Sequence, residues 1–191
     1  MQATACQPQP STVLNQGLTA SISEPVEQHW LEDACLGRGL PPEAERHLRL
    51  AGLCYQHDEE ALSHLQAAML SAPEHPAVFI GLYRFYFYKN RLTEALAVAR
   101  TCLEKAAKAN GMAPDWRAAK RSDADFDRFD AVLPRFFLFA LKGYAYLQLR
   151  LGHLDEGRAA VEKLLELDPS DKLGGKVLLN VLKRRSHGDD D

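Results

Sequence analysis

An internal repeat is the feature that most constrains how this sequence can fold. The dipeptides Glu60-Ala61 and Glu94-Ala95 lie 34 residues apart, and each lies inside a stretch with helical apolar spacing. Self-similarity with a period of about 20 to 50 residues predicts an array of supersecondary units, each of which buries its apolar face only against its neighbours. The sequence therefore predicts an all-α fold built from stacked antiparallel helix pairs.

Three segments fit such a unit, namely residues 42–73, 76–107 and 138–169. Each has a small residue at the same position of its second helix: Ala61, Ala95 and Gly157. A small residue there allows the two helices of a pair to approach closely, while aromatic side chains fill the space between pairs. The first unit departs from the pattern because its connecting turn, around His57 and Asp58, is shortened. In the third unit, extra residues between Tyr146 and Arg150 leave the register of the first helix open.

The second unit resembles the tetratricopeptide repeat (TPR) family. The matching positions, which that family fills with large, aromatic, turn-forming and small residues, are Phe79, Leu82, Tyr86, Asn90, Ala95 and Ala99. The third unit ends in Leu167-Asp168-Pro169, which is similar to the close of a TPR unit. The resemblance implies a TPR-like stack of about three repeats with a C-terminal capping helix and a concave protein-binding surface.

The flanking regions predict the limits of this domain. Residues 1–22 are rich in Gln, Ser, Thr, Ala and Pro, which is typical of a flexible tail. The helical domain is predicted to span residues 23–185 and to open with a short helix over residues 23–37, anchored by Trp30. Residues 186–191 are predicted to be a short acidic C-terminal tail.

The capping helix is predicted to span residues 170–185. Ser170 provides an N-cap, and basic residues near the end suit the negative pole of the helix. Its apolar face would consist of Val177, Leu178, Val181 and Leu182. Gly174 and Gly175 weaken its first turns.

Residues 110–134 interrupt the period as an insertion between the second and third units. Asn110-Gly111 predicts the end of one helix, and a proline at the far end of the insertion predicts the start of the next. Two interpretations stay open: Trp116 and Phe129 cover the adjacent helices, or the segment binds a partner. As a surface loop, residues 112–130 are expected to be removable without loss of the fold, since loop closure changes by only about 0.6 kcal/mol per doubling of length.

The composition disfavours two classes of partner. The 23 basic and 26 acidic residues give a formal net charge of -3, which offers no electrostatic attraction to nucleic acid or to an anionic membrane. No apolar run reaches the roughly 20 residues that span a bilayer, and the N-terminus lacks a secretory signal pattern. These observations predict a cytoplasmic protein that binds neither nucleic acid nor membrane.

The sequence shows no motif for catalysis or for a bound metal or cofactor. The four cysteines are Cys6, Cys35, Cys54 and Cys102. They are far apart in sequence, so none forms the close pair that zinc and redox motifs need, and the last three fit buried thiols. His57 and His64 could share a helix face, but a surface or packing role is favoured over a metal site. We therefore predict no catalytic residue, no metal, no cofactor and no enzymatic activity.

The predicted concave surface supplies the candidate partner-binding residues. Eleven of the sixteen aromatic residues lie in the segments 79–88 and 136–146, more than two repeat cores require, so some are expected to be exposed. Exposed aromatic residues beside cations are typical of protein-binding hot spots. The groove positions implied by the family, together with the insertion, are Ile80, Arg84, Phe87, Tyr88, Trp116, Arg117, Phe139, Lys142, Tyr146 and Arg150.

Three runs, residues 79–88, 115–117 and 135–142, resemble a narrower family, that of nitrogenase-associated factor T, which comprises small TPR proteins encoded beside nitrogen-fixation genes. This resemblance implies a non-catalytic accessory factor that associates with a nitrogenase component during assembly, protection or repair. Two alternatives stay open: a generic TPR chaperone or adaptor that binds a peptide segment of another cytoplasmic protein, and a carrier that binds metal. The oligomeric state is open as well.

Overall fold

The computed structural model describes residues 39–128 and 130–188. Outside these lie the predicted tail (1–22), the predicted first helix (23–37), Phe129 and residues 189–191. The described chain contains seven α-helices and a short 3-10 helix. The α-helices are α1 (Pro42–Leu53), α2 (Asp58–Ser71), α3 (Pro76–Tyr88), α4 (Leu92–Ala109), α5 (Val132–Arg150), α6 (Leu154–Leu167) and α7 (Gly175–Gly188), and the 3-10 helix is Trp116–Ala118.

The helices pack as consecutive antiparallel pairs. α1 packs on α2, α3 on α4 and α5 on α6, and α7 covers α6 at the end of the stack. Successive pairs are joined chiefly where α4 packs along α5. This arrangement confirms the predicted all-α fold and its TPR-like stack of helix pairs.

Several helices begin where the sequence favours a helix start. α3 has Pro76 at its first position, where the missing backbone N–H matters least, and the Nδ1 atom of His75 accepts a hydrogen bond from the Ala77 backbone N at 3.3 Å. α2 has three acidic residues in its first turn, which interact favourably with the positive end of the helix. These local preferences explain why the short helices have well-defined starts.

The small residues at the shared position of each second helix are buried, as predicted. Ala61 and Ala95 are completely inaccessible to solvent. At Gly157, a Cβ atom would lie 2.3 Å from Cδ2 of Leu149 and 3.1 Å from its backbone N, so α5 and α6 approach too closely for alanine. The prediction that these positions permit close helix approach is confirmed.

The turn within the first pair differs from its prediction. Residues 54–57 connect α1 to α2, whereas residues 89–91 and 151–153 connect the later pairs. The first turn is thus one residue longer than the others and is not shortened. The later turns are tighter because Asn90 and Gly152 adopt positive φ angles of 57° and 85°.

The capping helix begins five residues later than predicted. Ser170 does not cap it, because its hydroxyl donates to Oδ1 of Asp168 at 3.1 Å. Asp168 also accepts a bond from the Leu173 backbone N at 2.9 Å, which holds residues 168–173 in a turn. The helix starts after Gly174, whose φ is +69°, and continues to Gly188.

The apolar face of this capping helix is narrower than predicted. Leu178 and Leu182 are buried, whereas Val177 is 39% exposed. The description does not extend to the side chain of Val181.

The insertion packs as part of the core. Trp116, Ala119 and Phe126 are buried in the same cluster as α4, α5 and α6. The Lys163 Nζ atom donates to the Ala119 carbonyl at 3.1 Å, and the Asn110 side chain donates to the Leu133 carbonyl at 2.9 Å. The expectation that residues 112–130 can be removed without loss of the fold is therefore not supported by this packing.

No helix within residues 39–128 and 130–188 combines the length and the apolar character needed to cross a bilayer.

Candidate partner-binding groove

A groove of about 410 Å³ lies between α1 and α3. Its lining residues include an apolar floor, Leu48, Ala51, Leu65, Ile80 and Phe85, and a rim of Glu45, Arg49, Arg84 and Tyr88. Gly81 allows the helices to form this floor, because a Cβ atom there would lie 3.0 Å from Cδ2 of Leu48 and 3.3 Å from Cδ2 of Leu65. The groove therefore depends on a close approach between the first helices of two successive pairs.

The rim combines charge with an exposed aromatic ring. Arg49 forms an ion pair with Glu45, one helical turn away on α1. The Arg84 guanidinium lies over the Tyr88 ring, 6.0 Å from its centroid. Tyr88 is 48% exposed, although it lies in a strongly apolar helix. An apolar floor beside arginine and tyrosine has the composition of a protein-binding hot spot.

Three of the predicted partner-binding residues, Ile80, Arg84 and Tyr88, come together in this groove. Phe87 instead points toward α5, where its ring stacks on Tyr83 at 5.7 Å and tilts against Tyr146 at 5.5 Å. The sequence placed all four α3 residues on one surface, but the structure divides them between two sides of the helix.

Tyr146 does not line the groove, so its prediction as a partner-binding residue is wrong. Its side chain is 0% exposed and packs between α3 and α5. Gly143 favours this close packing, because a Cβ atom there would lie 3.1 Å from the hydroxyl oxygen of Tyr83, closer than ordinary van der Waals contact. Desolvation in this apolar layer raises the pKa of Tyr83 well above its usual value. The aromatic layer joins pairs and offers Tyr146 no route to a partner.

The remaining α5 residues lie on another surface of the stack. The Arg150 Nη1 atom donates to the Tyr146 hydroxyl at 2.7 Å. Phe139 is half-buried, with the Arg135 guanidinium 5.6 Å from its ring centroid. Lys142 is half-buried, and its Nζ atom lies 3.8 Å from where a Cβ of Gly174 would be. These residues do not line the α1/α3 groove.

The insertion residues Trp116 and Arg117 support the third pair. Trp116 is 7% exposed, and its ring centroid lies 6.0 Å from that of Tyr144. Arg117 covers the Trp116 ring at 4.3 Å and forms an ion pair with Glu156, which also accepts a hydrogen bond from the Tyr144 hydroxyl. The burial of Trp116 contradicts its predicted contact with a partner, and Arg117 is engaged within the chain.

The structure describes all of residues 79–88 and 136–146, the two segments rich in aromatic residues. Only one aromatic residue in these segments is exposed as expected. Tyr88 is exposed, and the other aromatic residues there are buried or half-buried. Most serve the contacts between pairs, because α3 and α5 each pack on two sides. The number of aromatic residues in the two segments therefore overestimated the aromatic surface that a partner could reach.

A cluster of metal-donor atoms on the first pair was not predicted from the sequence. Cys54, Glu60 and His64 each place one donor atom within 4.8 Å of the others. Glu60 and His64 are four residues apart on α2, a spacing that puts both on one helix face and could have revealed them. Cys102, by contrast, matches the predicted buried thiol: it is 5% exposed, and desolvation raises its pKa to about 12.

A curated protein matches this chain: an uncharacterized 19.8 kDa protein in the nifW 5′ region of Azotobacter chroococcum mcd 1. The two are 37% identical over 123 residues, which make up 64% of this chain and 69% of the relative. The chain belongs to the family of this Azotobacter protein. No family model and no solved structure matches the chain, so the TPR family itself is not confirmed.

Proposed function

We propose that this protein is a non-catalytic, cytoplasmic binding module that holds a segment of another protein in the α1/α3 groove. The observation that carries the proposal is the combination of an apolar floor with a rim formed by Arg84 and the exposed Tyr88. Floor residues such as Ile80 would bury apolar side chains of the partner, and the Arg84 guanidinium would meet a carboxylate. Buried area supplies affinity, and the charge fixes orientation.

We further propose that the partner is a nitrogenase component and that the chain acts as an accessory factor during assembly, protection or repair. Two observations support this partner. The Azotobacter relative lies in a nif gene region, and residues 79–88, which form most of α3, resemble nitrogenase-associated factor T. The resembling run thus includes all the α3 residues that line the groove except Ala77.

The test is an affinity pull-down from the native host, grown anaerobically with and without fixed nitrogen. We expect nitrogenase subunits to be recovered with the wild-type protein from fixing cells. The substitution Arg84→Glu should weaken binding of the recovered partner about 30-fold or more, because a hot-spot contact contributes roughly 2 kcal/mol. Lys142→Glu is the matched control, since Lys142 is also a half-buried cation but lies outside the groove.

Two results would overturn the proposal separately. If abundant nitrogenase is never recovered, the partner is wrong. If nitrogenase is recovered equally with Arg84→Glu and Lys142→Glu, the partner stands but the groove is not its site. Circular dichroism must show unchanged helicity in both variants.

The alternative function is a chaperone or adaptor for short peptides. The groove volume of about 410 Å³ suits a few side chains better than a whole domain face. Binding of an isolated acidic-aromatic peptide as tightly as any intact protein would favour this alternative.

A further inference from the structure

The donor cluster on the first pair draws on both of its helices. Cys54 follows the last residue of α1, and Glu60 and His64 lie one turn apart on α2. Cys54 and His64 are half-buried, and Glu60 is exposed. A thiol, a carboxylate and an imidazole therefore converge at one accessible point, all within 4.8 Å of one another.

Cys54 and Glu60 already contact each other, because a hydrogen bond joins the thiol to the carboxylate. Once the thiol proton is released, the thiolate and the carboxylate are both anionic ligands of the kind that hold divalent transition metals. The two side chains are therefore placed to act on one cation together.

His64 is oriented by a second histidine from α1. The Nδ1 atoms of His47 and His64 lie 3.0 Å apart, so one of them donates a hydrogen bond to the other. When His64 is the donor, the lone pair of its Nε2 atom is available to a metal. Histidine ligands commonly have their other ring nitrogen held by such a partner, which fixes the tautomer and the ring orientation.

We propose that Cys54, Glu60 and His64 bind one zinc-class divalent transition-metal ion, with His47 as the positioning residue for His64. On binding, the Cys54 thiol releases its proton to solvent and forms a sulfur–metal bond, with no change in oxidation state. Sulfur, nitrogen and oxygen donors together suit zinc, and three protein ligands leave a fourth tetrahedral position open. The ion would join the end of α1 to α2.

The geometry requires only a small adjustment of the side chains. Ligand atoms in a tetrahedral zinc site lie about 3.3 to 3.8 Å apart, since each is about 2.0 to 2.3 Å from the ion. The longest separation allowed by the cluster is 4.8 Å. The exposed Glu60 side chain can close much of this difference by a rotamer change, because nothing in its burial confines it.

The experiment uses the full-length, tag-free, reduced protein after removal of metals with a chelator. Zinc is titrated in competition with a chromophoric chelator, and cobalt is titrated while its thiolate charge-transfer absorption is followed. We expect one ion per chain. Cys54→Ser and His64→Ala should weaken zinc binding by more than about 100-fold, and His47→Ala by about 10- to 100-fold, as expected for an outer-shell partner.

Two matched controls share the chemistry but lie outside the cluster. Glu59→Gln changes the carboxylate next to Glu60 on α2, and His57→Ala removes a histidine of the adjacent turn that is not part of the cluster. Both substitutions should leave zinc affinity unchanged. Equal zinc affinity in wild type and Cys54→Ser, or cobalt binding without the thiolate absorption, would overturn the proposal. If Cys54→Ser loses helicity, Glu60→Gln becomes the deciding variant, because Glu60 is exposed and its substitution should not affect folding. An unchanged zinc affinity of Glu60→Gln would then refute the site.

Discussion

The first helical pair and the two later pairs share one architecture, but the turns that connect their two helices differ. In the later pairs, Asn90 and Gly152 adopt left-handed conformations, and the next residue donates its backbone N–H to a carbonyl five residues back, at 2.8 and 2.9 Å respectively. The first turn, which is fully described, has no residue with positive φ and uses one residue more. The three pairs thus share the small residues at which their helices pack closely, although their connecting turns differ in length and conformation.

The cores of the two regions differ as well. The buried cluster of the first pair consists largely of alanine and is completed by side chains of α3, including Phe85. The later pairs share a larger cluster with several aromatic side chains and the insertion. Small side chains bury less apolar area, so the first pair is expected to be the less stable region. The same pair contributes one wall of the groove and carries the donor cluster.

The largest expected effect concerns the insertion, which adds buried side chains to the core of the later pairs only. Trp116→Ala should reduce the free energy of unfolding by about 3 to 5 kcal/mol, because it removes a large buried ring from the core. Leu53→Ala in the first pair, where the side chain is 82% exposed, should change it by less than about 0.5 kcal/mol. Guanidinium denaturation measures both. A loss below about 1 kcal/mol for Trp116→Ala would mean that the insertion is not part of the core.

A second test uses one substitution with opposite signs in the two regions. Gly157→Ala should destabilise by about 1 to 3 kcal/mol, because the new methyl group meets Leu149. Gly52→Ala near the end of α1 meets no atom within 4 Å and should stabilise by up to about 1 kcal/mol through helix propensity. Thermal and chemical unfolding of both variants supply the comparison. If both substitutions changed the free energy of unfolding in the same direction, the close approach of α5 and α6 at Gly157 would be contradicted.

Hydrogen exchange tests the difference in stability directly. Amides in α2 should exchange about tenfold faster than those in α6, which corresponds to an opening free energy about 1.4 kcal/mol lower. Both helices have 14 residues and the same place in their pairs, so the comparison is matched. Mass spectrometry of peptides from each helix gives the rates. Equal protection would show that the alanine-rich core is as stable as the aromatic one.

The smallest expected effect concerns the turns. Gly152→Ala should destabilise by about 1 kcal/mol, because φ is +85° and a Cβ meets no atom, so the effect is purely conformational. Gln56→Ala in the first turn should change stability by less than about 0.5 kcal/mol. Urea titration resolves these values if both are measured in one buffer. A neutral Gly152→Ala would indicate that the turn relaxes to another conformation.

Local patterns predicted much of the fold and less of the candidate site. The close-approach positions Ala61 and Ala95 follow from helical periodicity, which neighbouring residues determine. Ile80, Arg84 and Tyr88 were predicted as groove residues from the resemblance to the TPR family, and they do line one groove. Phe87 and Tyr146 were misplaced, because the side of α3 that faces α5 depends on how successive pairs rotate against each other.

The sequence by itself determined that this chain forms paired helices, since apolar spacing and small residues such as Gly157 act within a few turns of helix. Only the tertiary structure decided what those pairs enclose. Trp116 is buried because the insertion folds back onto Tyr144, and Cys54 meets His64 because a four-residue turn brings α1 and α2 together. The burial of Trp116 and the meeting of Cys54 with His64 both depend on contacts between residues that are distant in sequence. Local sequence patterns do not specify such contacts, because they form only when the whole chain has folded.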